Sequence, residues 1–210
     1  PRSSAPLPAP GDSYVIRRVH VVDVERGVAG PLVDVEVRGG IIRAVGTQAS
    51  GKELPAIDGR GGWLVPAFWD MHVHSFQVSP ELHLPLFVAN GIVNVRDMMD
   101  CPGERDSLIA CVADKRSWTA KAEAGRMTSP RFVEVASYYL EGAGMTPAEV
   151  SRLAPTSRAR GLNALKVYDR LPRPAYFRAA REARRLDLRL LGHLPKAIAL
   201  PEAVAAGQAS

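Results

Sequence analysis

Cysteine, lysine and aromatic residues are all scarce in this chain of 210 residues. Only two cysteines occur, Cys101 and Cys111. Their ten-residue separation suits neither a Cys-x-x-Cys redox motif nor a zinc finger, and leaves open a disulfide across a loop–helix junction or two free thiols. Aromatic residues make up 6% of the chain and do not interleave with the basic ones, as a nucleic-acid surface requires. Every long apolar stretch is interrupted by Asp, Arg or Pro, so no transmembrane helix is expected. Lysine numbers 5 against 22 arginines, and the net charge of +5 is therefore an arginine charge. Ten arginines lie between Arg152 and Arg189, interleaved with Ala and Leu at helical spacing. That pattern reads as solvated helix faces. Nucleic acid and membrane are thus not expected as partners.

The remaining composition, 46% apolar and 23% charged, is that of a globular protein with one or two domains and a sizeable core. Residues 1–12 form a Pro/Ala-rich arm that cannot build a core and is expected to be disordered. A chain that begins at Pro1 looks like the product of signal-peptide removal or trimming, which points to export or a periplasmic location, with the cytoplasm as the alternative.

Residues 13–63 read as a small antiparallel β unit, part of a β-sandwich. Val33-Asp34-Val35-Glu36-Val37 alternates strictly and runs through Gly39-Gly40 into Ile41–Gly46, a hairpin signal. Asp58-Gly59-Arg60-Gly61-Gly62 marks a second turn. From residue 64 the period changes. Buried strands at Leu64–His74, Gly91–Asp97, Arg131–Ser137, Ala164–Asp169 and Leu188–His193 alternate with helical stretches at Ser79–Ala89, Asp106–Ala124 and beyond. Thr146-Pro147-Ala148-Glu149 is a capping box, Gly161 suits the residue ending that helix, and Pro174 starts the next, with its apolar stripe of Tyr176, Ala179, Ala180, Ala183 and Leu186. Repeated βα units imply a parallel sheet, and residues 64–210 read as strands one to five of a partial (β/α)8 TIM barrel, an α/β fold.

In such a barrel the carboxyl ends of the strands form the active face. The first strand ends in His72 and His74, whose alternate spacing sends both imidazoles to one side; they are expected to bind metal. The second ends in Arg96 and Asp97, which suit a structural ion pair as well as an active role. The third runs into Ser137-Tyr138-Tyr139 and Glu141, and the fifth ends in His193, a further candidate ligand. The fourth places Lys166 and Tyr168 on one face. A lysine in an apolar strand is costly to bury as a cation, and its neutral amine can take up carbon dioxide to become a carbamate able to bridge two metal ions. The competing role for Lys166 is an ion pair with a carboxylate such as Asp97. His20 and His83 are placed as structural residues.

His72-x-His74, Lys166 within Leu-Lys-Val-Tyr-Asp, and His193 within Gly-His-Leu-Pro together resemble the amidohydrolase superfamily, in its imidazolonepropionase-like and prolidase-like branch. Ile57–Pro66 and Asn90–Met98 strengthen the likeness, which runs from about Tyr14 to the last residue. The resemblance implies a binuclear metal site, usually zinc. His72 and His74 would hold one ion, His193 would help hold the other, and carbamylated Lys166 would bridge. A metal-activated hydroxide would hydrolyse the C–N bond of a dipeptide, N-acyl amino acid or cyclic amide, with Tyr168 bonding the developing oxyanion. The family also uses a His from the sixth strand and an Asp from the eighth, and residues 64–210 are too few for a barrel of ~250 residues. The chain therefore reads as the N-terminal part of a longer enzyme, inactive alone, with a complementing C-terminal segment or a homo-oligomer as the expected assembly. The alternatives are an inactive assembly module, or a phosphotriester or lactone hydrolase on the same scaffold.

Overall fold

The computed structural model describes residues 11–46, 53–103 and 108–210. Most of the Pro/Ala-rich arm, residues 1–10, lies outside the described residues, as do residues 106–107 of the expected helix Asp106–Ala124. The chain divides into two compact units, Pro1–Ala67 with Glu123–Gly125, and Phe68–Ala122 with Arg126–Ser210.

In the first unit, strands β1 (Tyr14–Asp23), β2 (Val28–Arg38), β3 (Ile41–Gly46) and β4 (Ala56–Asp58) lie in the order β3-β2-β1-β4, and β5 (Trp63–Leu64) also pairs with β1. β2 pairs antiparallel with β1 and β3. Gly39 and Gly40 turn the second hairpin with φ of 59° and 76°, the left-handed conformation that tight hairpins need at both central positions. The sheet is not wholly antiparallel, however. β4 and β5 both run parallel to β1. Val15, Val19, Val35 and Val37 are its buried apolar residues, and Glu36, between the last two, is buried as well.

The second unit repeats strand and helix: β6 (Phe68–Val73), α1 (Pro80–Ala89), β7 (Ile92–Asp97), α2 (Val112–Glu123), β8 (Arg131–Val135), α3 (Pro147–Ala159), β9 (Ala164–Val167), α4 (Arg173–Arg185), β10 (Arg189–Gly192) and α5 (Leu200–Ala206). β6-β7-β8 form one parallel sheet and β9-β10 another. Parallel bridges Ala136↔Ala164 and Leu140↔Val167 join them. Gln208 bridges to Leu190 on the far side of β10, where Gly192 N donates to Ser210 O at 2.7 Å.

The expected continuous strand Leu64–His74 is broken. Pro66 has no N–H to give a ladder, so β5 joins the first unit's sheet and β6 begins at Phe68. Nor is β6 buried on both faces: of its six residues only Val73 is buried, while Phe68, Trp69 and Met71 are exposed. β9 is the strand that matches the expectation, with all four residues buried.

One core lies where α3 and α4 cover β9 and β10, around Val150, Leu165, Val167, Tyr176 and Ala179. A second lies beneath α1 and α2, around Leu84, Val95, Trp118 and Phe132. Of the expected stripe, Tyr176, Ala179, Ala180 and Ala183 are buried on α4 as their 3.6-residue spacing requires, and Leu186, just past the helix end, is partly buried. Cys101 and Cys111 form a disulfide.

At the start of α3 the Thr146 hydroxyl accepts from Glu149 N at 3.3 Å, and Thr146 N donates to the Glu149 carboxylate at 2.7 Å. Thr146→Ala removes the first of these bonds and is expected to lower the unfolding free energy by about 1 kcal/mol, measurable as a fall in the urea midpoint at unchanged slope.

Candidate metal centre

The strand ends of the second unit bring the candidate ligands together. His72 lies on β6 and His74 one residue beyond it, two positions apart and so on one side of the strand. Val73 between them points the other way, into the core under α1 and α2. Lys166 lies on β9 opposite Leu191 of β10. His193 follows Gly192, whose φ is 123° and whose missing Cβ would lie 2.1 Å from the Val167 carbonyl oxygen. Only glycine permits that approach, and it allows His193 N to donate to the same oxygen at 3.0 Å.

The Lys166 amine sits 2.9 Å from His74 Nε2 and 3.5 Å from His72 Nε2. The His72 ring centroid is 5.4 Å from that of His74 and 5.9 Å from that of His193. Tyr168 packs against His193 at 4.3 Å, and the Lys166 amine lies 5.8 Å from its ring centre. All five residues singled out in the sequence thus meet in one place. His20 and His83 do not join them; each bonds a main-chain carbonyl, of Gly30 and Ser79.

Burial dominates the electrostatics. It lowers the Lys166 amine to about 8, against a weaker opposing pull from Asp97. Burial first, then the Lys166 charge, lowers the His74 imidazole to about 4 and also depresses that of His72. Imidazoles held neutral are in the form a metal ion takes, and two Nε2 atoms directed at one point suit a divalent cation. Among the described residues, no three His, Cys, Asp or Glu side chains gather closely enough to hold a metal on their own. Lys166, at the focus of the imidazoles, is therefore the residue on which the fit of a cation turns.

Asp97 does not pair with Lys166. It pairs with Lys115 at 2.9 Å, and both side chains are 0% exposed. Its carboxylate also accepts from Ser75 N and Met99 N, each at 3.0 Å, while the Lys115 amine donates to Met99 O at 2.5 Å. Burial pushes the Asp97 carboxyl up and the Lys115 amine down, each opposed by its partner. Arg96 instead donates to one backbone and one side-chain acceptor, Met71 O at 2.7 Å and the Ser210 hydroxyl at 2.9 Å. Glu141 is taken up by Arg170 at 2.8 Å. Lys115 was missed in the sequence, although a signal existed: it falls between Val112 and Trp118, three residues from each, on the buried side of α2.

No protein-family model matches the chain, and no curated protein matches it. Solved structures do. Molinate hydrolase superposes with a TM-score of 0.73 at 16% identity, over 93% of this chain and 56% of that one. Bottromycin amidohydrolase gives 0.66 at 21% identity, over 92% and 41%. A Xaa-Pro dipeptidase gives 0.67 at 14% identity, over 94% and 60%. The chain has the amidohydrolase fold. It spans 41–60% of the length of these three structures.

Within this amidohydrolase fold the Asp97–Lys115 pair fastens the backbone just beyond His74. Lys115→Met leaves a buried carboxylate without its counter-charge and is expected to cost about 3–5 kcal/mol of stability. Adding Asp97→Leu restores little of that loss, because it removes the acceptor for Ser75 N and Met99 N. Denaturant unfolding of the single and double variants measures both effects.

Proposed function

We propose that the chain is the N-terminal part of a metal-dependent amidohydrolase, with strands β6 to β10 the first five of a (β/α)8 barrel. In this reading His72 and His74 would hold one divalent cation, His193 would help hold a second, and Lys166, as a carbamate, would be a ligand to them. Zinc is the metal that an imidazole-rich site favours. The reading is carried by one observation: both Nε2 atoms of the His-x-His pair face the Lys166 amine at 2.9 and 3.5 Å. Cations bound there would acidify a water molecule and polarise the carbonyl of a C–N bond.

The chain's own residues have distinct tasks. The Lys166 amine, with its proton affinity lowered by burial, would in its neutral form bond through nitrogen to the carbon of carbon dioxide and release one N–H proton to solvent, leaving an anionic carbamate between the imidazoles. Ser137 Oγ accepts from Lys166 N at 3.0 Å and fixes the backbone beneath that side chain. Tyr168, whose hydroxyl has no hydrogen bond among the described residues, donates to the oxyanion that develops on the substrate. The substrate is a small amide, dipeptide or N-acyl amino acid; amide and peptide bonds are what the names amidohydrolase and dipeptidase share. The Cys101–Cys111 disulfide supports an oxidising compartment.

A second reading, an inactive assembly module, draws support from the lack of a carboxylate beside the imidazoles among the described residues. Zinc titration of the metal-free chain separates the two. The enzyme reading expects two zinc ions per chain, loss of uptake in a His72→Ala/His74→Ala variant, and weakened uptake in Lys166→Met. With 13C-bicarbonate and zinc present, it also expects a carbamate carbonyl resonance that Lys166→Met lacks. Equal zinc uptake by the unaltered chain and by the triple variant with His193→Ala would overturn it.

A further inference from the structure

Three of the five tyrosines of the chain stand in one file beside the candidate centre. Tyr138 and Tyr139 stack with centroids 4.2 Å apart and planes 27° apart, and their hydroxyls share a hydrogen bond of 2.9 Å. Tyr139 meets Tyr168 at 5.2 Å, and Tyr168 meets His193 at 4.3 Å. Two ring spacings therefore separate Tyr139 from the nearest imidazole. A tyrosine used for packing looks different in this protein: Tyr176 is 0% exposed and its hydroxyl is bonded to the Gln208 side chain at 2.9 Å. Tyr138, Tyr139 and Tyr168 are all only half-buried.

The backbone under this file is fixed. Leu140 N donates to Lys166 O at 2.7 Å and Tyr168 N to Leu140 O at 3.1 Å, so the segment carrying Tyr138 and Tyr139 is stitched to β9. A cavity of about 130 Å³ opens against the stacked pair, with Leu140, Leu153 and Leu162 among its walls and the Asp100–Arg160 ion pair at 2.7 Å lining it as well. That volume is close to the ~150 Å³ of an apolar cavity that holds one benzene ring.

We infer that Tyr138, Tyr139 and this cavity form an aryl subsite, so that the molecule taken by the candidate centre carries a single aromatic ring set two ring spacings away from the imidazoles by a spacer. Rigid tyrosines offer flat contact area at small entropic cost, and tilted or offset ring pairs gain beyond their buried area. The inference rests on the proposed hydrolase reading for the place of the scissile bond, but the subsite needs no metal to be tested.

Calorimetry on the metal-free chain with N-benzoylglycine and N-acetylglycine reads the subsite directly. The benzoyl compound is expected to bind about 3–10-fold more tightly, the range that one ring–ring contact supplies. Tyr139→Leu abolishes the preference and Tyr139→Phe keeps it. Leu153→Trp, which fills the cavity from the α3 side and leaves the three tyrosines in place, abolishes it as well. Equal binding of the two compounds, no binding of either, or a preference unchanged by both Tyr139→Leu and Leu153→Trp overturns the inference. Zinc titration of the same samples keeps the two ideas apart: uptake without a benzoyl preference sinks only the subsite, and a benzoyl preference without uptake sinks only the hydrolase reading.

Discussion

Two charges shielded from solvent, Asp97 and Lys115, hold together the backbone from which the imidazoles project. The carboxylate lies at the end of β7 and reaches the N–H of Ser75, the residue after His74. The amine rises from α2 and closes on Met99 O. Three stretches of chain, those following β6 and β7 and the helix that covers them, therefore share one charge pair. Its desolvation cost is met by four interactions rather than one, which is the condition under which a buried pair holds its place. The same arrangement keeps Asp97 turned toward Lys115 and leaves the Lys166 amine without a carboxylate partner among the described residues.

That leaves a site of unusual polarity. Three imidazoles and one amine face each other, and burial is the chief reason that Lys166, His72 and His74 all shift toward their neutral forms. A protonated lysine and protonated imidazoles disfavour one another there, because each positive charge depresses its neighbours. The arrangement is relieved by an anion at the position of the amine or by neutral donors around a cation. In the proposed reading, carbamylation of Lys166 with cation binding would supply both, and the absence of a compensating carboxylate among the described residues is what makes the lysine, not the histidines alone, decisive.

Much of this was legible in the sequence because it depends on short-range geometry. His72 and His74 are separated by two, Lys166 interrupts an apolar strand, and His193 follows a glycine at a strand end; alternation and burial suffice to read each of them. The capping box at Thr146 and the stripe on α4 are likewise local. The break at Pro66 was also visible in principle, since proline cannot serve a ladder, yet the apolar run on both sides disguised two strands as one. The parallel pairing of β4 and β5 with β1 was not legible, because crossover direction is settled by packing and not by residue pattern. Asp97 and Lys115 lie 18 positions apart on different elements, so their union appears only once α2 is laid on the sheet.

The candidate centre also spans two hydrogen-bonded sheets, with His72 and His74 at the end of one and Lys166 and His193 at the end of the other. Their separation is set by whatever joins those sheets. The joint is the chain following β8, where Ala136 bridges to Ala164, Ser137 N donates to Ala164 O, Ser137 Oγ accepts from Lys166 N, and Leu140 bonds β9 on both sides. Tyr138 and Tyr139 lie inside this joint. A change that loosens it would move the lysine relative to the histidine pair and tilt the ring file together, because both are carried by the same five residues of backbone. Ligand spacing and the aromatic wall are for that reason one structural variable, and a substitution that alters the wall without shifting Lys166 has to be made at the ring edge or in the cavity behind it, not in the main chain.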